Sequence, residues 1–185
     1  MKLERTEFEL KDGRSALLRS TGSGDAAEML RFIIKASGET EFLLKYPEEF
    51  EEYTMEREKA LLQGILENPD AMMIACEIDG KIAGNCQIAF CTNQKERHRA
   101  SVAIGILQEY WGLGIGTKMF QEMIRVARER GGIRQIELTY IEGNSRARGL
   151  YEKMGFRITG VKPDAVRFRD GTFANEYMMM KRLDE

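Results

Sequence analysis

The chain has 185 residues, 43% of them hydrophobic and 31% charged, and 28 Lys and Arg against 30 Asp and Glu give a net charge of -2. That length suffices for one domain over 1–185 with a real core, and that charge excludes a global electrostatic case for nucleic-acid binding. No apolar run approaches the roughly 18 residues of a membrane helix, and the charged start Met1-Lys2-Leu3-Glu4-Arg5 has no signal-peptide core, so no membrane partner and a cytoplasmic location are expected.

In chain order, Phe8 to Leu10 and Ser15 to Arg19 read as short strands around Lys11-Asp12-Gly13. Asp25-Ala26-Ala27-Glu28 has capping-box spacing, with Asp25 as N-cap of a helix that Gly38 ends. Ala26, Met29, Leu30, Ile33, Ile34 and Ser37 form its apolar face. An acidic segment follows, Glu39, Glu41, Glu48, Glu49, Glu51 and Glu52. Pro47 suits the first position of a second helix with an apolar stripe of Phe50, Tyr53, Leu61, Leu62 and Ile65, ended by Asn68-Pro69-Asp70.

Met72 to Ile78 and Lys81 to Phe90 read as a hairpin turned at Asp79-Gly80. That register sets Cys76 against Ala83 and Cys86 against Met73. Cys76, Cys86 and Cys91 are odd in number and lack CxxC spacing, which suits reduced core thiols rather than a disulfide or metal set. Ala100 to Leu107 reads as a strand, Thr117 to Arg130 as a helix with Phe120, Met123, Ile124 and Ala127 buried, and Gln135 to Ile141 as a strand. Asn144 caps a short helix through Met154, with Ala147, Leu150, Tyr151 and Met154 on one face and Gly155 at its end. Phe156 to Val161 and Phe173 to Met180 are the last strands. Interleaved strands and helices in one chain indicate an α/β or α+β layered domain.

The stretch Trp111-Gly112-Leu113-Gly114-Ile115-Gly116-Thr117 joins an apolar strand to a helix. The first turn of a helix has N–H groups without intrahelical partners and the positive end of the dipole, so a pocket for phosphate or pyrophosphate is expected here. It lacks the GxxxxGK[ST] spacing of a P-loop. Its GxGxG spacing beyond residue 110 also departs from the GxGxxG of a dinucleotide site, although Glu137 falls about 20 residues downstream, near the distance of a ribose-binding acid.

Two blocks narrow the reading. Ile104-x-Ile106-x-Gln108-x-Tyr110-Trp111-Gly112-x-Gly114-Ile115-Gly116 resembles the acetyl-CoA-binding motif of the GNAT superfamily of N-acetyltransferases. Asn144 to Phe156 resembles that family's Asn-x-x-Ala-x-x-Leu-Tyr-x-x-x-Gly-Phe block. Order and spacing of the blocks agree, and the resemblance is close from about residue 72 to 160. One position departs: Trp111 stands where the family usually has Arg or Gln.

The resemblance implies a mixed central sheet of about seven strands flanked by about four helices, splayed between the fourth and fifth strands. It implies that Ile106 and Leu107 offer backbone groups to pantetheine, and that Trp111, Gly112, Leu113, Gly114, Ile115, Gly116 and Thr117 cradle the pyrophosphate. Asn144 would hold the pantetheine arm and Arg146 reach a phosphate. Tyr151, seven residues after Asn144 and so on the same helix face, would protonate the leaving thiolate. The implied activity is direct acetyl transfer from acetyl-CoA to a primary amine, on a small molecule or a protein, in a ternary complex without a metal. The alternatives are a CoA-binding regulatory module without turnover and a nucleotide enzyme with a Rossmann-like site. Glu137, His98 and Glu41 are the candidate general bases. The acidic segment would favour a cationic acceptor. Late strands serve many relatives as a dimer interface, which leaves a homodimer open.

Overall fold

The computed structural model describes residues 1–184. Among the described residues, eight strands and four α-helices follow in the order β1 (Thr6–Glu9), β2 (Ser15–Ser20), α1 (Ala26–Gly38), α2 (Met55–Glu67), β3 (Ala71–Ile78), β4 (Lys81–Phe90), β5 (Arg99–Ile106), α3 (Ile115–Arg130), β6 (Gln135–Ile141), α4 (Ser145–Lys153), β7 (Arg157–Arg167) and β8 (Phe173–Arg182). The strands are hydrogen-bonded in the order β1-β2-β3-β4-β5-β6-β8-β7. All eight strands read from the sequence form, one more than the resemblance implies, and the first, Thr6–Glu9, pairs with β2 over four residues. No helix of the described residues is long and apolar enough to cross a membrane. The chain forms two compact units: Met1–Ala89 with Ala103–Met119, and Phe90–Val102 with Phe120 onward.

In the first unit, β1 to β4 form an antiparallel meander. Asp79 and Gly80 both take positive φ, 50° and 75°, as a two-residue primed turn requires. The register then shifts between Cys76 and Glu77, so Cys76 faces Gly84 and Cys86 faces Ile74, each one residue from the expected partner. The cause is a bulge that leaves Ala83 out of the β3 ladder; its carbonyl accepts instead from Leu107 N, 3.0 Å away. Cys76 and Cys86 are fully buried free thiols, as expected.

Helix α1 buries Ala26, Met29, Phe32, Ala36 and Ser37, while Ile34 is 41% exposed, so its inner face is rotated toward Phe32. Asp25 stands at the N-cap position of α1, as expected, but its side chain makes no cap bond there. It ends a 3-10 turn, Ser23–Asp25, and its carboxylate accepts from Gly22 N and Arg19. The expected second helix is broken: Pro47–Phe50 is a separate 3-10 turn, and α2 starts at Met55 because Thr54 Oγ1 accepts from Arg57 N at 3.2 Å. Leu62, Ala26, Met29, Phe32, Ala36, Ala75, Ile82 and Leu107 form the core here.

In the second unit, β5 and β6 pair in parallel through three residues only, Arg99 to Ser101 against Gln135 to Glu137, and β6 pairs along its whole length with antiparallel β8. These parallel partners are the strand before the glycine loop and the strand Gln135–Ile141, the pair expected to splay, and they are the fourth and fifth strands when short β1 is left out of the count. The strand after Phe156 runs longer than expected, because Pro163-Asp164-Ala165 is absorbed as a bulge in which Asp164 N donates to Asn175 Oδ1.

Candidate functional site

The glycine loop lies in the first unit. Gly84 lets the end of β5 close on β4: a Cβ there would meet Ile106 Cγ1 at 3.1 Å and Gly105 O at 3.2 Å. Beyond Ile106 the backbone makes a 3-10 turn, Gln108–Tyr110, tied to the end of α1 by Glu39. The Glu39 carboxylate accepts from Gln108 N at 2.7 Å, and the Glu39 carbonyl from Gln108 Nε2. Lys35 pairs with Glu109. On the other side Lys11 N, in the β1–β2 turn, donates to Leu113 O at 3.2 Å.

Gly112 and Gly114 take φ of 81° and 98°, which L side chains rarely adopt, with open space where their Cβ atoms would be. Lys118 N donates to Gly114 O at 3.1 Å, closing a turn of α3. The N–H groups of Gly112, Leu113, Gly114, Ile115 and Gly116 find no backbone acceptor among the described residues. Gly114, at the cap position, has no side chain to supply one, and the first turn of α3 contains no acid. This is the geometry of an anion-binding nest.

Trp111 has a role the sequence left open. Its indole Nε1–H donates to Ile106 O at 2.7 Å, pinning the loop to the strand that precedes it. The Leu107 N–H is bonded to Ala83 O, and Leu107 O accepts from Tyr110 N. The backbone groups at Ile106 and Leu107 are thus partly engaged within the chain. Cys76 is desolvated, which pushes its thiol up to about 12 and leaves it inert as a nucleophile.

The second unit holds the other block. Asn144 Oδ1 accepts from Ala147 N at 3.1 Å and so caps α4. Arg146 is exposed, and Arg148 pairs with Glu152 at 2.8 Å. Phe156 N donates to Tyr151 O at 2.9 Å, closing the helix as the Gly155-Phe156 pattern predicts. Tyr151 is 7% exposed, edge-on to Phe120 at 5.5 Å, with Tyr140 and Phe156 at 6.2 and 6.4 Å. Its hydroxyl makes no hydrogen bond among the described residues. It is also absent from the fully enclosed unpartnered oxygens, which are Thr21 Oγ1 and Ser37 Oγ. The ring is therefore buried and the hydroxyl tip is reachable. Burial pushes the phenol up to about 12, so it stays protonated at neutral pH.

Glu137, a candidate base, is held by Arg99 in a bidentate pair of 2.8 and 2.7 Å. That guanidinium lowers the carboxyl's pKa, with a second bond from Gln135, so Glu137 is a poor proton acceptor. Glu41 is exposed. Among the acids of the first unit, sequence reasoning missed Glu58, which is 5% exposed. Its signal was the position three residues after Met55 and four before Leu62, inside the buried stripe of α2. No group of three or more His, Cys, Asp or Glu among the described residues could hold a metal.

A model of the Acetyltransferase (GNAT) family matches residues 37–156. Thialysine N-epsilon-acetyltransferase of Sus scrofa is 26% identical over 152 residues, covering 77% of this chain and 85% of that protein. A Bacillus subtilis (strain 168) protein named for alanine N-acetylation of ribosomal protein bS18 is 31% identical over 98 residues, 53% of this chain; the match spans 62% of that relative's length. The crystal structure of a GNAT-family acetyltransferase from Streptococcus pneumoniae superposes with a TM-score of 0.84 at 29% identity, covering 91% of this chain and 99% of that one. With both motif blocks inside the matched residues, the chain belongs to the GNAT family of acetyltransferases.

Proposed function

We propose that this chain, as one domain over 1–185, moves the acetyl group of acetyl-CoA to a primary amine by direct transfer in a ternary complex. The observation that carries the reading is the run of five unpartnered N–H groups, Gly112 to Gly116, opening α3. In this reading Trp111 to Thr117 cradle the CoA pyrophosphate, and Ile106 and Leu107 offer their remaining backbone valences to pantetheine. Asn144 Oδ1 is used in the cap, which leaves Nδ2 to donate to pantetheine. Exposed Arg146 reaches a phosphate. The amine nitrogen attacks the thioester carbonyl carbon, the C–S bond breaks, the nitrogen gives its proton to water, and the sulfur is left as a thiolate.

Tyr151 serves that sulfur. A phenol raised to about 12 is a weaker acid than an ordinary thiol, near 8.5. Full proton transfer to a CoA thiolate is uphill, so Tyr151 contributes a charge-assisted hydrogen bond as the negative charge develops, and the final proton comes from water. The inert Cys76 and fully buried Cys86 support transfer without an acyl-cysteine step.

The relatives named for thialysine and for an alanine of a ribosomal protein support a primary amine as acceptor class, on a small molecule or on a protein. The reading takes the chain as cytoplasmic. It also takes it as a homodimer through β7 and β8, where Ile158, Val161, Phe173 and Met178 are exposed. Thiol release from acetyl-CoA across a panel of primary amines tests the function. Amine-dependent release above background hydrolysis is expected. CoA binding with no release across the panel would identify a binding module instead.

A further inference from the structure

One face of β4 carries two amide side chains that the fold leaves unused. Burial alternates along the strand: Gly84, Cys86 and Ile88 are sealed, while Asn85, Gln87 and Ala89 between them are half-buried. Asn85 and Gln87, two residues apart, therefore share the partly open face. The one side-chain hydrogen bond of Asn85 among the described residues runs from Nδ2 to Met29 Sδ at 3.7 Å, and a thioether is a weak acceptor. Asn85 Oδ1 and both polar atoms of Gln87 make none. None of these atoms is among the fully enclosed unpartnered ones, so they are reachable. Asn is a poor strand former, and β4 lies inside the sheet, between β3 and β5. Two unpartnered amides there meet no structural demand, and such departures concentrate at functional sites.

This face lies beside the backbone assigned to pantetheine. Leu107 N donates to Ala83 O at 3.0 Å, and a Cβ on Gly84 would meet Ile106 Cγ1 at 3.1 Å. Continued from there, the antiparallel register sets Asn85 opposite Gly105 and Gln87 opposite Ala103. Helix α1 covers the first of these pairs, with Met29 against Asn85 and Phe32 Cζ 3.7 Å from where a Cβ would stand on Gly105. Ala103, opposite Gln87, is exposed. On β3, Ala75 and Met73 stand opposite Asn85 and Gln87. Neither neighbouring strand thus sets a charged side chain against the two amides.

We infer that Asn85 and Gln87 bind the peptide backbone of the acceptor, so that the amine acetylated belongs to a polypeptide. The inference rests on the acyl-transfer reading above, which gives Ile106 and Leu107 to pantetheine. Each side-chain amide offers a carbonyl oxygen and an NH2, which complement the N–H and C=O of a peptide group. An ammonium has donors only and a carboxylate acceptors only, so either would leave half of a side-chain amide unmet. The spacing agrees. Residues two apart on a strand stand about 7 Å apart, which is also the repeat of groups on one side of an extended peptide. Asn85 stands beside Gly105, one residue before Ile106, and Gln87 beside Ala103, two further back. An extended peptide along this face brings its amino end toward Ile106 and its following amides to Asn85 and Gln87.

Calorimetric titration of CoA-saturated protein with trialanine amide and with n-hexylamine tests this in wild type, Asn85→Leu and Gln87→Met, which keep side-chain size and remove the amide. The expected result is trialanine amide bound about fivefold more weakly in each variant, the loss of neutral hydrogen bonds, with n-hexylamine and CoA bound as in wild type. Peptide affinity unchanged in either variant, equal losses for both amines, or no trialanine amide binding to wild type would each overturn the inference. Thiol release is read separately: peptide binding that needs Gln87, without turnover of any amine, would retire the transfer reading and keep the recognition site.

Discussion

Two helix starts in this chain are finished in opposite ways. Helix α4 is closed by its own side chain, with Asn144 Oδ1 on Ala147 N. Helix α3 begins at a glycine that has no side chain to offer, and five N–H groups leading into it have no backbone acceptor. The same orphan donors exist at both ends. Where a protein satisfies them itself the end is structural, and where it leaves them open and clears the Cβ positions it has room for an anion. The supports differ in kind as well. The loop before α3 is braced from three sides, by Trp111 on Ile106 O, Glu39 on Gln108 and Lys11 on Leu113 O. Such bracing holds donors in place before the ligand arrives, which lowers the ordering cost of binding.

Tyr151→Phe keeps the aromatic packing against Phe120 and removes only the hydroxyl, so kcat should fall about 10²-fold, the loss of one donor to developing charge, with CoA affinity within about twofold, as read by single-turnover kinetics and titration. A kcat unchanged at saturating substrates would remove Tyr151 from the mechanism. Next is Gly114→Val. A β-branched residue at φ of 98° distorts the nest, so CoA affinity should drop on the order of 100-fold. Asn144→Ala sharpens the contrast: it should cost about 1 kcal/mol of stability as a lost cap and weaken CoA only a few-fold. Equal effects on CoA from Gly114→Val and Asn144→Ala would erase the distinction between the two helix starts.

The smallest effect concerns Glu58. Burial raises its pKa in the folded chain, so the carboxylate disfavours folding above that pKa, and the penalty fades as pH falls through it. Glu58→Gln should therefore have the higher Tm at pH 7, with the gap closing toward pH 4. A gap that widens on acidification would mean that the carboxylate is satisfied in the folded state.

The parts of the fold written in local chemistry were legible. Asp79-Gly80 specified its turn, the Gly155-Phe156 ending specified the close of α4, and the glycine loop together with the Asn144–Tyr151 spacing specified the family. What escaped depended on tertiary context. The bulge at Ala83, which moved both cysteines by one residue, arises where the Ala83 carbonyl turns to Leu107 N instead of to β3. Thr54 restarts a helix that the apolar stripe alone ran continuously from Pro47. Phe32 displaced Ile34 from the core because burial follows the shape of the neighbours, not the tally of apolar positions. Glu58 was passed over because a charged residue in an apolar stripe reads as an exposed flank. Glu137 was legible as an acid, but its pairing with Arg99 came from strand register.

In the proposed function the open N–H groups of the glycine loop receive the CoA pyrophosphate. Amide proton and nitrogen chemical shifts of Gly112, Leu113, Gly114, Ile115 and Gly116, followed by NMR as CoA is titrated in, test it most directly. These five amides should shift downfield together and saturate at one stoichiometric equivalent, while the amide of capped Ala147 moves little. CoA binding that leaves the five amides in place would contradict it.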